Sequence, residues 1–411
     1  MKFLILIGDG MADFPLESCG GSTPLSVAQT PALDEVARLG ICGLFCPIPD
    51  AYPAGSDIGN LSLFGYNPDE SFAGRAPLEA ANRGIALGPD QLAFRCNLVT
   101  LGNGCMKDFT ADHISTKEAA ELIGSLERAL GGSNLTFHPG VSYRHLATIT
   151  PTASAFDQFV SLACTPPHDI TDQEYAPYLP QGCGNERILE LIVQSQAILA
   201  DHPVNKARIA NGKLPATSIW PWGQGKAPDM ELYESRFGIT GAVVSAVDLV
   251  NGIGRNAGFE VIAVEGATGY LDTNYEGKVE AALDALDRVD FVFVHIEAPD
   301  EASHEGRTDL KIQAIEDYDK RVVAPCLARA RERGDCRVLI APDHITSIET
   351  RTHAQGPVPF AMCGPGIEQD ARVEYNEASA AEAGVLFPAG YTLVAAIIQE
   401  ANLRAEVWQS T

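Results

Sequence analysis

Carboxylate and imidazole side chains follow three predicted strands, at the point where each strand ends. In open parallel sheets, ligands bind beyond the carboxyl ends of the strands, so we expect these side chains to meet at one edge. One such residue would mean little, but the shared position in three distant segments indicates a common site. The residues are Asp9 after strand 3–8, Asp300 a short loop after strand 289–296, and Asp343 and His344 after strand 336–341.

The spacing of further residues indicates a site for two metal ions. Asp300 and His304 are four residues apart, which places both side chains on one side if this loop turns helically. His353 lies nine residues after His344, beyond a polar loop. Carboxylates with imidazoles suit Mn²⁺ or Zn²⁺, and Mg²⁺ and Co²⁺ are the alternatives. Each histidine could instead be a hydrogen-bonded structural residue, and His295, inside a predicted strand, is interpreted in that way.

Ser56 is the candidate nucleophile. It precedes a helix-like run at residues 58–64, so we expect it at a helix N-terminus, where the dipole and free N–H groups favour an alkoxide and a phosphate. The alternative is that Ser56 only caps this helix. Coordination to a metal would lower the pKa of its hydroxyl and make it a nucleophile near neutral pH.

The elements that must position these residues alternate between strand and helix. Apolar runs at residues 3–8, 241–249, 289–296 and 336–341 predict strands, and the segments at 31–40, 277–286 and 308–332 predict helices. This alternation predicts an α/β fold with a doubly wound, mostly parallel sheet. Residues 85–214 do not continue this alternation of strands and helices, and we expect them to form a smaller inserted α+β domain. Residues 1–84 and 215–411 would then form the metal-binding core.

Composition and charge exclude several classes of protein. Hydrophobic residues make up 45% and charged residues 20%, which is ordinary globular usage and excludes disorder as the main state. With 29 basic and 54 acidic residues the net charge is −25, which argues against nucleic acid or an anionic membrane as partner. The apolar runs are too short for a membrane span and the N-terminus lacks signal-peptide features, so we expect a cytoplasmic protein whose ten cysteines are reduced.

Five motifs distributed along the chain carry further information. They are IGDGMAD at 7–13, GSDIGNLSLFGY at 55–66, PGVSYRH at 139–145, WGQG at 222–225 and APDH at 341–344. Taken together, they resemble the archaeal-type cofactor-independent phosphoglycerate mutases of the alkaline phosphatase superfamily, and the resemblance covers essentially the whole chain. The Asp, Ser and His set alone would indicate only the superfamily, whereas the combination of motifs is specific to the family.

The resemblance implies an activity and a set of site residues. The activity is the interconversion of 3-phosphoglycerate and 2-phosphoglycerate without 2,3-bisphosphoglycerate, on an alkaline phosphatase-like core. Ser56 would become phosphoserine, and the inserted domain would close over the site and exclude water. Two divalent ions are implied, with Mn²⁺ preferred to Mg²⁺, Zn²⁺ or Co²⁺. One would bind Asp9, Ser56, Asp343 and His344, and the other Asp300, His304 and His353.

The groups that would bind a small anionic, phosphorylated substrate are predicted separately. A glycerate carboxylate favours a bidentate arginine, and Arg144 is the first candidate. Asn60, one helical turn after Ser56, is expected near the phosphate. Thr217 and Lys226 stand where asparagine and arginine are common in relatives, which affects substrate contacts and not the metal set. The further candidates, each of which could instead be structural, are Arg95, His168, Asp169 and Lys226.

Three alternatives remain open from the sequence. A phosphatase or another phosphomutase can share the fold and the metals, because a fold does not determine the substrate. A homoserine kinase-like paralogue is the second, although the chain has no G-x-x-x-x-G-K-[ST] phosphate loop. The third is a metal-dependent regulatory binding protein, which the intact Ser56 and its six companion ligands argue against. A homo-oligomer is compatible with each of them.

Overall fold

The structure, a computed structural model, describes residues 1–400 as two compact units. The first joins Met1–Phe72 to the segment that begins at Met230, and the second is Ala73–Asp229. The sequence placed these boundaries at residues 84/85 and 214/215, so the second unit is longer at both ends. The reason is that helix Arg75–Asn82 and strand Ser218–Lys226 both pack on strand Leu92–Gly102, which is the central strand of that unit. Residues 401–411, which the prediction assigned to the core, lie outside the described residues.

An eight-stranded sheet forms the centre of the first unit. Among the described strands, seven run in one direction and Val358–Cys363 runs against them. The predicted α/β fold with a mostly parallel, doubly wound sheet is confirmed. From edge to edge, the strands are Leu386–Phe387, Gly40–Phe45, Val358–Cys363, Cys336–Ala341, Lys2–Gly8, Phe291–Ile296, Gly241–Val244 and Glu260–Val261.

Helices cover both faces of this sheet, which is why its central strands are apolar at nearly every position rather than at alternate positions. Leu4 and Leu6 belong to the hydrophobic core on one face, while Phe293 stacks on Phe64 at 4.1 Å between ring centroids on the other. The helices on the first face are Pro31–Arg38, Tyr275–Leu286, Thr308–Tyr318 and Ala324–Arg333. The helices on the second face are Ser56–Leu63, Asp248–Asn256 and Thr392–Gln399.

The helix expected over residues 308–332 is in fact two helices separated by a π-helical turn at Asp319–Val323. In this turn the Asp319 carboxylate accepts hydrogen bonds from the backbone N–H groups of Ala32 and Leu33, at 2.9 and 2.7 Å. It thus caps the helix that begins at Pro31. Thr30 occupies the N-cap position, but its side chain makes no capping hydrogen bond in the described structure.

The remaining elements of the first unit are short. A two-stranded hairpin formed by Ile345–Ser347 and Thr352–Ala354 follows the strand that ends at Ala341. The short helices are Pro24–Val27, Pro68–Ser71, Tyr233–Phe237, Ala298–His304 and Glu377–Glu382. Within residues 1–400, every helix falls short of the length and apolar character that a bilayer crossing requires.

The second unit is an antiparallel sheet with its own helices. Its long strand Leu92–Gly102 pairs with Arg144–Ile149 and Ser218–Lys226 and, near its end, with Cys105–Asp108, while Leu135–His138 extends the sheet. A capping box begins the helix Thr116–Leu130, because the Ser115 side chain and the Glu118 side chain each bind the other residue's backbone N–H. The helices are Arg75–Asn82, Thr116–Leu130, Phe156–Val160, Glu186–Ala200 and Pro203–Ala210.

A buried lysine connects the loop after the first strand to the hairpin. Lys311 is fully buried, and its Nζ donates hydrogen bonds to the carbonyl oxygen of Thr346 at 2.7 Å and to that of Ala12 at 3.2 Å. It also pairs with Asp13 Oδ2 at 2.9 Å. The ion pair joins two residues that lie 298 positions apart in sequence, and the hydrogen bonds of the same lysine connect the loop to the hairpin.

Replacing Lys311 with methionine should lower the free energy of unfolding by about 3–5 kcal/mol, because Asp13 would be left buried without its counter-charge. Urea denaturation at fixed pH measures the change. Arg307→Met is the matched control, since Arg307 pairs with Asp309 at 2.8 Å on the exposed surface and its loss should have little effect. Equal destabilisation by the two substitutions would contradict the structural role assigned to Lys311.

Candidate active site

The strand order places the predicted ligands side by side. Strand Lys2–Gly8 pairs in parallel with Phe291–Ile296 on one side and with Cys336–Ala341 on the other, so the loops after these three strands begin at one edge. Three overlapping groups at this edge have ligand atoms within 4.8 Å of one another. They are Asp300 with His304 and His353; Asp9 with Asp300 and His344; and Asp9 with His295 and Asp343.

The first subsite surrounds His344. Its Nε2 lies 3.3 Å from Asp9 Oδ1 and 3.5 Å from Asp343 Oδ2. Ser56 Oγ lies 3.0 Å from the same nitrogen. Asp9, Asp343 and His344 are buried, whereas Ser56 is partly exposed. The structure therefore brings together the four residues that the sequence assigned to one metal ion.

The second subsite is formed by Asp300, His304 and His353. Asp300 and His304 lie in helix Ala298–His304, so the four-residue spacing does place both side chains on one side. Asp300 Oδ2 is 3.1 Å from His304 Nε2, and Asp300 Oδ1 is 3.4 Å from His353 Nε2. The two imidazole Nε2 atoms are 3.1 Å apart. Three ligand atoms of the predicted second set thus converge.

Ser56 is the first residue of helix Ser56–Leu63, and Gly55 occupies the N-cap position. Its hydroxyl is directed to His344, so Ser56 does more than begin a helix. One turn later, Asn60 Nδ2 donates hydrogen bonds to Asp343 Oδ2 at 2.6 Å and to the Ser56 carbonyl oxygen at 3.0 Å. Asn60 therefore lies at the site, where its amide holds the helix against Asp343. Contact with a phosphate remains a prediction.

The charges at this edge favour a divalent cation. Burial and the neighbouring carboxylates of Asp343 and Asp300 raise the pKa of Asp9 well above its usual value. Asp9 Oδ1 is buried and has no hydrogen-bond partner among residues 1–400. A buried carboxylate oxygen with no donor, beside further carboxylates and imidazoles, fits a cation ligand. The donor set therefore fits the divalent ions expected from the sequence.

The imidazoles also present the atoms that a metal needs. His304 Nδ1 lies 3.0 Å from the Arg351 carbonyl oxygen, which can only accept, so this nitrogen carries a proton and Nε2 faces the subsite. Although burial opposes a charge, the Asp300 carboxylate raises the pKa of His304 to about 9. The proton gained at this pKa binds Nε2, and a metal ion would compete with it for that nitrogen.

His295 belongs to this site and was not selected from the sequence, where it was interpreted as structural. Its Nε2 lies 3.1 Å from Asp9 Oδ2, and burial lowers its pKa to about 4, which keeps the ring neutral. It pairs in register with Ile7, two residues before Asp9. A lone imidazole near the end of a strand that is otherwise apolar was the signal that could have identified it.

The other predicted substrate residues lie in the second unit, and two of them contact the Trp222 ring. The Arg95 guanidinium is 4.1 Å from the Trp222 ring centroid and pairs with Glu79 at 3.1 Å. The His168 ring is 5.5 Å from Trp222 between centroids, and its Nε2 is 3.4 Å from Asp169 Oδ1. Arg144 and Lys226 are exposed strand residues, each beside the strand that carries Arg95.

Comparisons with known proteins agree with this arrangement. A family model described as 2,3-bisphosphoglycerate-independent phosphoglycerate mutase matches residues 37–205. The chain is 52% identical over 363 residues to the mutase of that name from Methanosarcina barkeri, covering 88% of this chain and 90% of that protein. It is 48% identical over 399 residues to a probable mutase of that name from Geobacter sulfurreducens, covering 96% of this chain and 98% of that protein. A solved structure of the cofactor-independent phosphoglycerate mutase from Thermoplasma acidophilum aligns with a TM-score of 0.66 at 26% identity, covering 98% of this chain and 100% of that one.

The fold and the site define a class of protein, namely doubly wound α/β proteins with a candidate divalent-metal centre at the carboxyl edge of the sheet. Within that class, the chain belongs to the 2,3-bisphosphoglycerate-independent phosphoglycerate mutase family, a family of isomerases. The resemblance inferred from the sequence motifs is confirmed.

Gly59→Ala should destabilise the protein by about 1–3 kcal/mol, because a Cβ at this position would overlap with the carbonyl oxygen of Asp343. Gly124→Ala is the control. The nearest atom to its added Cβ is the flexible Arg128 side chain at 3.5 Å, so alanine there should raise the free energy of unfolding by about 0.5–1 kcal/mol. Chemical denaturation of both variants measures the two shifts, and a stabilising effect of Gly59→Ala would disprove the close approach.

Proposed function

We propose that this chain interconverts 3-phosphoglycerate and 2-phosphoglycerate, without 2,3-bisphosphoglycerate, through a phosphoserine at Ser56. The observation that supports it most directly is the position of Ser56 Oγ, 3.0 Å from His344 Nε2 and beside two convergent ligand sets, in a chain of this family. The hydroxyl stands at the first residue of a helix, where backbone N–H groups and the helix dipole favour a phosphate.

The proposed cofactors are two divalent cations, with Mn²⁺ preferred to Mg²⁺, Zn²⁺ or Co²⁺. They would neutralise charge on the attacking and leaving oxygens of an in-line displacement. The ligands proposed for the first ion are Asp9, Ser56, Asp343 and His344, and those for the second are Asp300, His304 and His353. His295 Nε2 lies beside Asp9 Oδ2, whereas His344 Nε2 lies beside Asp9 Oδ1.

Two displacements at Ser56 complete the proposed reaction. In the first, Ser56 Oγ loses its proton and bonds to phosphorus, and the ester bond between phosphorus and the glycerate oxygen breaks. In the second, the other glycerate hydroxyl bonds to phosphorus and the bond to Ser56 Oγ breaks. The proton lost in each attack is replaced on the leaving oxygen, so the cycle consumes nothing and yields an isomer. Water must be excluded between the two steps, because it would hydrolyse the phosphoserine.

We propose that the second unit supplies the contacts to the glycerate carboxylate, with Arg144 as the main one. The Arg95 guanidinium is already held by Glu79 and the Trp222 ring, whereas the Arg144 side chain is exposed and can reach a ligand in a bidentate manner. His168 and Asp169 pair with each other, and Lys226 lies at the end of its strand.

The proposed function is tested by an assay of the purified protein with 3-phosphoglycerate, in which 2-phosphoglycerate and free phosphate are measured separately. We expect 2-phosphoglycerate to form without added 2,3-bisphosphoglycerate, to stop forming after chelation and to form again on addition of Mn²⁺. Release of phosphate alone would indicate a phosphatase instead. An absolute requirement for 2,3-bisphosphoglycerate would indicate a different kind of mutase.

Ser56→Ala should abolish mutase activity, with a loss of at least about 10⁴-fold in kcat, because no other group can take its place as nucleophile. Titration calorimetry should still detect binding of Mn²⁺ to this variant, because the other proposed ligands of the first ion, Asp9, Asp343 and His344, remain. Ser62→Ala is the matched control. Its hydroxyl lies on the same helix, is buried and finds no hydrogen-bond partner in the described part of the chain, so its removal should leave the activity close to that of the wild type. Full activity of Ser56→Ala would exclude the phosphoserine route.

A further inference from the structure

A single buried hydroxyl lies between the two candidate subsites. Thr346 Oγ1 is 2.5 Å from Asp300 Oδ1 and 3.0 Å from His344 Nδ1. Asp300 belongs to the second ligand set and His344 to the first. Thr346 itself is fully buried and follows His344 by two residues. It was not among the residues selected from the sequence.

Counting protons assigns a direction to both hydrogen bonds. A hydroxyl has one proton, and a carboxylate that serves as a ligand can only accept, so Thr346 donates to Asp300. The same oxygen must then accept from His344, which places the proton of the neutral imidazole on Nδ1. The lone pair of His344 Nε2 is left facing Ser56 Oγ and Asp9 Oδ1. One side chain thus sets both the orientation of Asp300 and the tautomer of His344.

The backbone around Thr346 leaves this hydroxyl little freedom to move. Its carbonyl oxygen accepts from Lys311 Nζ at 2.7 Å, and its N–H donates to the Ala12 carbonyl oxygen at 3.2 Å. On the opposite side, Gly10 approaches so closely, with φ at +58°, that a Cβ there would overlap with both Thr346 Oγ1 and Asp300 Oδ1. The position of the hydroxyl is therefore determined by three separate segments of the chain.

We propose that Thr346 is a positioning residue that couples the two metal subsites, by orienting Asp300 in one and presenting Nε2 of His344 in the other. This inference rests on the proposed two-metal function. Groups that orient metal ligands in this way typically change metal affinity by 10–100-fold when they are removed. Because one hydroxyl contacts a ligand of each set, its loss should lower the metal affinity of both subsites and not of one alone.

The test compares Thr346→Val, Thr346→Ser and Thr352→Val by Mn²⁺ titration calorimetry. Valine keeps the shape of threonine and removes the hydroxyl, whereas serine keeps the hydroxyl. Thr352 pairs with Ser347 on the facing strand of the same hairpin and is exposed, so Thr352→Val makes the same chemical change at a surface hydroxyl. Thermal unfolding of the metal-free proteins and the nitrogen chemical shifts of His344 are recorded in parallel. If the valine variant does not fold, Thr346→Ala replaces it.

We expect Thr346→Val to lose about 10–100-fold in Mn²⁺ affinity at both sites and to lose the Nδ1–H form of His344 as the dominant tautomer. Thr346→Ser and Thr352→Val should bind Mn²⁺ as the wild type does. Wild-type affinity in the valine variant, or equal losses with serine and valine, would overturn the inference while leaving the proposed function intact. Failure of the wild type itself to bind two Mn²⁺ ions would instead overturn the proposed two-metal function, and this inference with it.

Discussion

The close approach of buried carboxylates at one edge of the sheet is the constraint on which the rest of the site depends. Asp9, Asp300 and Asp343 lie within a few ångströms of the same imidazoles and are almost fully removed from water. Burial and the charges of Asp343 and Asp300 disfavour the charge on Asp9, whereas the imidazoles of His304 and His353 favour the charge on Asp300 and lower its pKa. Such a cluster is stable either with protons bound or with cations bound, and the convergent imidazoles favour cations.

The fold meets this constraint through close backbone packing. Strand Lys2–Gly8 lies at the centre of the sheet, so the loops after it and after its two neighbours begin together. Gly59 lets the helix that begins at Ser56 rest on the backbone of Asp343, and Gly10 leaves room for Thr346 and Asp300. The buried Lys311 then joins the loop after the first strand to the hairpin. The ligands are therefore held by structure that is itself rigidly packed, which is what a preorganised charged site requires.

The two units carry different kinds of chemistry. The first contains the carboxylates, the imidazoles and Ser56, and the second contains the arginines and the aromatic side chains around Trp222. A phosphoryl group calls for cations and a nucleophile, whereas a carboxylate calls for a guanidinium. Each unit therefore carries the residue types that one of these two kinds of recognition calls for.

The fold class and seven candidate metal ligands could be predicted from the sequence, because strand ends in a parallel sheet share an edge. The family motifs include Asp9, Ser56, Asp343 and His344, and the four-residue spacing of Asp300 and His304 indicated a shared face. The sequence did not identify His295 or Thr346, nor the cap that Asp319 supplies to the helix beginning at Pro31. Each of these depends on contacts between segments far apart along the chain. Local patterns report which residues lie on one element, whereas the partner of a buried polar group is decided only when separate elements pack together and water is excluded from between them.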